Sequence, residues 1–200
     1  MSKAVMISIQ PRWCELIAKG EKTVEVRKTR PKIDPSVKCY IYCTKGYVPP
    51  ACKAYQKGWR GYVIGEFECT DFRWRNGVSF VVKEDGEATL KGTCLTKEEI
   101  YAYLGIKEGM SRYDKKTEFY CWSIDNLIIY DEPKELSEFY GWTDYDDSKN
   151  DKRPCSYCEH SAFDYSENCE YCSIDYDGEH CVHLQMKRPP QSWCYVEELK

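Results

Sequence analysis

Lys22, Glu25 and Arg27 place an amine, a carboxylate and a guanidinium within one short stretch that begins at Gly20. Such a set supports two kinds of chemistry. An amine and a carboxylate within reach of each other can activate water and move protons, as a hydrolase requires. A lysine and an arginine can instead hold a phosphate or a carbonyl while the carboxylate accepts from the amino group of a base. The second arrangement needs no shifted pKa and is the simpler expectation. The flanking elements decide whether the groups meet. Residues 11–19 read as a short helix, with Pro11 in the first turn, Trp13, Leu16 and Ile17 on one side, and Gly20 at the C-terminal cap. Residues 23–28 read as a strand, where alternation turns Val24 and Val26 one way and Thr23, Glu25 and Arg27 the other. A tight turn would then deliver Lys22 to the row holding Glu25 and Arg27. The alternative is an ordinary charge pair on a solvated strand face, the commoner fate of such residues.

The pattern Gly20-x-Lys22-x-x-Glu25-x-Arg27 resembles the signature of the ASCH (activating signal cointegrator homology) domain, a branch of the PUA-like superfamily. The opening strand at 4–10 followed by Pro11 and Trp13, and the closing run Pro189-Pro190-Gln191-Ser192-Trp193-Cys194-Tyr195, are similar to the compact ASCH proteins of bacteria and their phages. The resemblance spans residues 1–142 and 188–200. It implies an α+β fold, a PUA-like mixed β-barrel with short helices, and a cleft beside the motif. The implied ligand is RNA or a modified nucleoside or nucleotide, held by Lys22, Glu25 and Arg27. Replacing any of the three by alanine is expected to weaken binding and leave the fold intact.

Some small members of that superfamily are amidohydrolases that remove the acetyl group of N4-acetylcytidine with a Lys, a Thr and a Glu. Lys22 matches their motif lysine, but Glu25 stands where the threonine would be, and Thr23 is not a clean substitute. Glu98 and Glu99 lie in the region of the third residue. On this alternative Lys22 and Glu25 are catalytic.

No apolar run approaches the roughly 20 residues of a membrane helix, and the N-terminus lacks the apolar core of a signal peptide, so a cytoplasmic protein with no membrane partner is expected. The 13 cysteines are odd in number, and Cys39, Cys43, Cys69, Cys94 and Cys121 sit singly, which reads as reduced thiols. A net charge of −4 conceals an asymmetry. Residues 1–60 carry 13 Lys or Arg against 4 Asp or Glu, and the remainder 16 against 29. The motif lies in the basic part, which favours an anionic ligand if the segment stays together in the fold.

Along the chain, residues 28–36 form a basic, proline-containing loop that would border the cleft. Residues 37–44 alternate as a strand, with Cys39, Ile41 and Cys43 on one face and Lys38, Tyr40 and Tyr42 on the other. Lys57, Trp59 and Arg60 interleave aromatic and basic groups, and Trp59 is a candidate base-stacking residue, although a Trp in this setting is more often a packed anchor. A strand is expected over 61–74, in which Glu66 or Glu68 could approach Lys22, and a pairing strand over 78–82. Thr96 with Glu99 three residues later is a capping box for a helix at 97–104, stopped by Gly105. Another strand is expected within 119–129 and a last short helix at 133–140.

From 143 to 152 the composition turns to Asp, Ser, Asn and Lys, read as a linker. Residues 153–187 then form a small Cys-rich insertion. Cys155-x-x-Cys158 and, ten residues on, Cys169-x-x-Cys172 present two thiolate pairs to one Zn²⁺, with His160, His180, Cys181 and His183 as alternates. Four filled positions leave no room for water, so the expected zinc is structural and the insertion a zinc knuckle. Large aliphatics are scarce around it, and a metal would supply the missing stabilisation. The insertion is acidic, with Glu159, Asp164, Glu167, Glu170, Asp175, Asp177 and Glu179, which suits a protein partner better than phosphate. A third function class follows: a zinc-dependent protein-interaction module.

Overall fold

The computed structural model describes residues 2–47, 52–77, 91–107, 109–111, 113–142 and 185–199. The chain opens with β1 (Lys3–Ile9), α1 (Pro11–Ala18), β2 (Val24–Arg27) and β3 (Val37–Cys43). It continues with α2 (Lys53–Gln56), β4 (Val63–Cys69), β5 (Phe72–Asn76) and α3 (Lys97–Leu104), then β6 (Glu118–Ser123), β7 (Asp125–Lys134) and β8 (Trp193–Glu197). The fold is α+β. Among the described residues the strands form two sheets, one of five strands in the order β7-β4-β3-β1-β8 and one of three in the order β2-β6-β5. The mixed β-barrel expected from the sequence takes the form of two sheets joined at a corner, which do not close among the described residues.

The corner explains why two expected strands are each broken. The stretch 61–74 divides at Thr70 and Asp71, where the chain passes from the large sheet to the small one, and 119–129 divides at Ile124, where it passes back. The two crossings are tied to each other. Ser123 Oγ accepts from the backbone N–H groups of Thr70 and Asp71 at 2.9 and 3.1 Å, and Thr70 Oγ1 donates to Asp125 Oδ2 at 2.5 Å. Polar groups that would otherwise lack ladder partners are satisfied there, so the break costs little. The helix expected at 133–140 is also different: β7 runs on to Lys134, and only Leu136–Glu138 turns, as a 3-10 segment. The pairing strand expected at 78–82 lies outside the described residues.

β1 and β3 run parallel in the middle of the large sheet, which is covered on both faces. A central strand of this kind reads as a nearly continuous apolar run, as Ala4–Ile9 does with Ser8 its one polar residue. The two faces of β3 enter different cores. Val37, Cys39, Ile41 and Cys43 pack with Cys14 and Ile17 of α1, Phe67 and Trp122, whereas Tyr40 and Tyr42 pack with Met6, Phe139 and Val196. A third cluster holds the outer face of the small sheet, Val26, Phe119 and Cys121, against Ile100 and Leu104 of α3. β8 closes the edge of the large sheet by pairing antiparallel with β1, from Lys3↔Glu197 to Ile7↔Trp193. Isolated bridges join Tyr140 to Gln185 and Gly141 to Val196, so the chain that leaves beyond Trp142 returns beside its point of departure. No helix of the described residues is long and apolar enough to cross a membrane.

Candidate functional site

The helix stop after α1 sets up the site. Gly20 adopts φ +73°, a left-handed conformation that glycine takes without the cost a Cβ imposes. Its N–H donates to Ile17 O at 2.8 Å, and those of Glu21 and Lys22 both donate to Leu16 O, turning the chain sharply toward β2. Lys22 thereby swings beneath the new strand instead of out into water. It is 2 % exposed, Glu25 7 % and Arg27 9 %. The solvated strand face is thus excluded.

The three groups form one charge cluster. Lys22 Nζ lies 3.3 Å from Glu25 Oε2, and Arg27 Nη2 lies 3.0 Å from Glu25 Oε1. Lys22 Nζ also donates to the carbonyl oxygens of Val24 and Thr93, each at 2.8 Å. Two carbonyl hydrogen bonds and the ion pair with Glu25 thus hold the ammonium in place. Arg27 reaches further, donating from Nη2 to Ser8 O at 2.5 Å and from Nη1 to Ser192 Oγ at 3.3 Å, while its Nε is buried without a partner. The guanidinium therefore links β2 to the end of β1 and to the turn that precedes β8. Thr93 is brought in because Gly92 lies so close to Thr23 and Val24 that a Cβ there would come within 2.9 Å of Thr23 Oγ1, and Thr23 N–H donates to Gly92 O at 2.9 Å.

Above this cluster opens a cavity of about 560 Å³, in the range of small-molecule sites. Lys22, Glu25 and Arg27 line it, with Ser8, Gln10 and Thr44 on one side, Gln191 and Ser192 on another, and Trp13 and Tyr103 as aromatic walls. The Lys22 ammonium sits 5.4 Å from the Trp13 ring centre, a cation–π contact that fixes the indole. Tyr103 is 41 % exposed, and Lys28 Nζ lies 5.2 Å from its ring centre. Burial pushes the Tyr103 phenol above its ordinary pKa, with smaller opposing contributions from Arg27, which lowers it, and Glu25, which raises it. Its hydroxyl therefore stays neutral, able to donate and accept. α3 carries Tyr103 on a well-built helix: Thr96 and Glu99 form the reciprocal capping box, and Gly105 ends the helix in the left-handed region.

Other sequence candidates fall elsewhere. Trp59 is 3 % exposed and packs in the main core beside Cys43 and Ile64; it does not line the cavity, and its ring is used for packing and for a contact with Lys57. Glu66 accepts from Tyr130 and pairs with Lys38, and Glu68 accepts from Asn126, so neither serves Lys22. Thr23 lines a second, smaller cavity with Asp71, Arg73 and Ser123. Glu99 does line the main cavity, but its carboxylate is engaged by Arg12 at 3.3 Å and by the Thr96 N–H at 2.9 Å. Cys155, Cys158, Cys169 and Cys172, with His160, His180, Cys181 and His183, lie outside the described residues. Sequence reasoning missed Ser8, Trp13, Tyr103 and Ser192 as cavity residues, because their convergence depends on β1, α1, α3 and β8 meeting in space. The signal that pointed nearest was the closing run that contains Gln191 and Ser192.

In fold, the chain is similar to ASCH-domain structures. The ASCH protein of Zymomonas mobilis matches at 18% identity over 68% of this chain and 77% of that one, with a TM-score of 0.47. Two single-residue variants of it match at 19% identity over 68% of this chain, 81% and 78% of theirs, with the same TM-score of 0.47. No family model matches the sequence, and no curated protein does.

Proposed function

We propose that this chain is an ASCH-type, PUA-like binding domain whose cleft takes RNA or a modified nucleoside or nucleotide. The observation that carries the reading is the buried cluster at the cavity floor. One carboxylate is shared by two cations, which leaves a net positive charge beneath the ligand. An ionised carboxylate offers about four lone-pair directions, of which Lys22 and Arg27 use two, so Glu25 retains capacity to accept from a ring N–H or an exocyclic amine. Trp13 and Tyr103 give a planar ligand its walls, and the carboxamides of Gln10 and Gln191 can read polar edges. A hydrolase would need Lys22 to offer a lone pair to water. Nζ instead donates to two carbonyl oxygens and pairs with Glu25, an arrangement that positions the group for binding and favours that reading over amide hydrolysis.

The Cys155, Cys158, Cys169 and Cys172 quartet is proposed, on its spacing, to hold one structural Zn²⁺ in an insertion that braces the domain or docks a protein partner. Gln185 and Met186, placed at the end of the expected insertion, pair with Tyr140 and Phe139 of the main domain, so the chain re-enters the domain there.

The test is mass spectrometry of the gently purified protein incubated with a pool of modified nucleosides, nucleotides and short RNAs. Retention of a ligand without mass change, reduced in Tyr103→Ala and Arg27→Lys proteins that remain folded by circular dichroism, is the expected result. Loss of an acyl group from a pool member that depends on Lys22 would overturn the binding reading in favour of the amidohydrolase. Equal retention by both variants would remove the cleft as the site.

A further inference from the structure

A row of side chains leads out of the cleft across the small sheet. The register sets Arg27 opposite Tyr120, and Tyr120 opposite Trp74. Residues directly opposite one another project from the same face, so these three are aligned across two inter-strand steps, roughly 10 Å. Exposure rises along the row: Arg27 is buried, Tyr120 half-buried, and Trp74 51 % exposed at the sheet edge. In the neighbouring row on the same face Trp122 and Phe72 belong to the main core, with the buried Glu25 at the cavity floor. The change from core to surface thus falls where the row leaves the cavity.

A single exposed aromatic on a surface is ordinary and signals nothing by itself. Here the aromatic pair extends the row of Arg27, which lines the cleft, and has cations beside it. The basic loop 28–36 runs beside it, and the Arg30 guanidinium lies 6.0 Å from the centre of the Tyr120 ring. That loop is held in place by β8 and the turn before it. Trp193 Nε1 donates to Thr29 Oγ1 at 3.0 Å, and Lys32 N–H donates to the Tyr195 hydroxyl at 2.6 Å. Glu118, opposite Asn76 on the next row of this face, marks the end of the cationic stretch. Exposed rings beside guanidinium groups are the furniture of single-stranded nucleic-acid sites, where bases stack on the rings and cations follow the backbone.

We propose that the cleft's ligand is one nucleotide of a single-stranded RNA, and that the adjoining base stacks on Trp74 and Tyr120 with Arg30 at the connecting phosphate. This rests on the cleft reading above and deepens it, replacing a free nucleoside by a polymer. The test titrates full-length wild type, Trp74→Ala, Arg30→Ala and Arg27→Lys with fluorescein-labelled random-sequence RNA octamers and with the four 5′-mononucleotides. Trp74→Ala should weaken octamer binding about tenfold, within the range of one base–aromatic stack, and leave mononucleotide binding unchanged. Arg30→Ala should lower the salt dependence of octamer binding by about one ion. Arg27→Lys should weaken both ligands. If Trp74→Ala and Arg30→Ala bind octamers as wild type does while Arg27→Lys loses mononucleotides, the track is wrong and the cleft reading stands. If octamers bind but Arg27→Lys binds both ligands normally, the cleft reading falls. Equal affinity for an RNA duplex of the same length also overturns the proposal, because bases inside a duplex have both faces stacked on neighbouring pairs and cannot splay onto a side chain.

Discussion

Glu25→Gln tests the charge cluster most directly. The carboxylate is nearly enclosed and is the shared partner of Lys22 at 3.3 Å and Arg27 at 3.0 Å. An exposed ion pair contributes about 0–1 kcal/mol, whereas breaking a buried one by removing a partner costs about 3–5 kcal/mol, because a buried charge is left uncompensated. Gln preserves the shape and one acceptor, so the lower end, about 3 kcal/mol, is expected. A domain of this size has a total stability of about 5–15 kcal/mol, so the variant should fold. With a urea m-value of about 2 kcal/mol/M the midpoint should fall by about 1.5 M. The assay is urea unfolding followed by tryptophan fluorescence, in 0.15 M and in 1 M NaCl. Burial predicts that the loss persists at high salt, since screening acts weakly on enclosed charges. Lys134→Gln, which breaks an exposed pair with Glu138, should barely move the midpoint. A Glu25→Gln loss below about 1 kcal/mol, or one that vanishes in 1 M NaCl, would refute the enclosed cluster and the functional argument built on it. The same reasoning corrects the expectation that alanine variants of the three residues leave the fold untouched: each is buried and wired into structure, so conservative replacements are the informative ones.

Alkaline pH should destabilise the fold. Burial raises the thiols of Cys69, Cys121 and Cys194 to about 11, so between about pH 9 and 11 the unfolded chain releases protons that the folded one retains, and stability that is complete below pH 9 is lost across that window. Urea midpoints in the presence of reductant should fall from pH 8 to 10.5; a flat or rising profile would contradict this. Thr96→Ala removes the α3 capping box and should cost about 1 kcal/mol by the same urea assay, with a loss under about 0.3 kcal/mol contradicting the geometry. Metal analysis of protein purified reduced and without chelator should find about one zinc per chain, and finding none would end the knuckle proposal.

The sequence by itself determined the local events. Pro11 and Gly20 bracket α1, the Thr96–Glu99 box and Gly105 bracket α3, and alternation in Val24–Arg27 sets Glu25 and Arg27 on one face. These follow from backbone preferences and side-chain period, which act over a few residues and leave a readable mark. Whether that face meets water was decided elsewhere. Lys22 finds Thr93 O, 71 residues away, and Arg27 finds Ser8 and Ser192, the latter 165 residues away. No local pattern encodes such pairings, because they exist only once the two sheets have assembled. The same holds for the break at Thr70 and Asp71: the apolar run reads as one strand, yet Ser123 and Asp125 supply the partners that let the chain change sheets there. Trp59 shows the converse. Its basic neighbours suggest a stacking platform, but burial in the main core claims the ring, and the exposed aromatic that lines the cleft is Tyr103. Side-chain type fixes what a residue can do, and only the tertiary arrangement decides whether it faces ligand or core, since burial depends on contacts from distant segments.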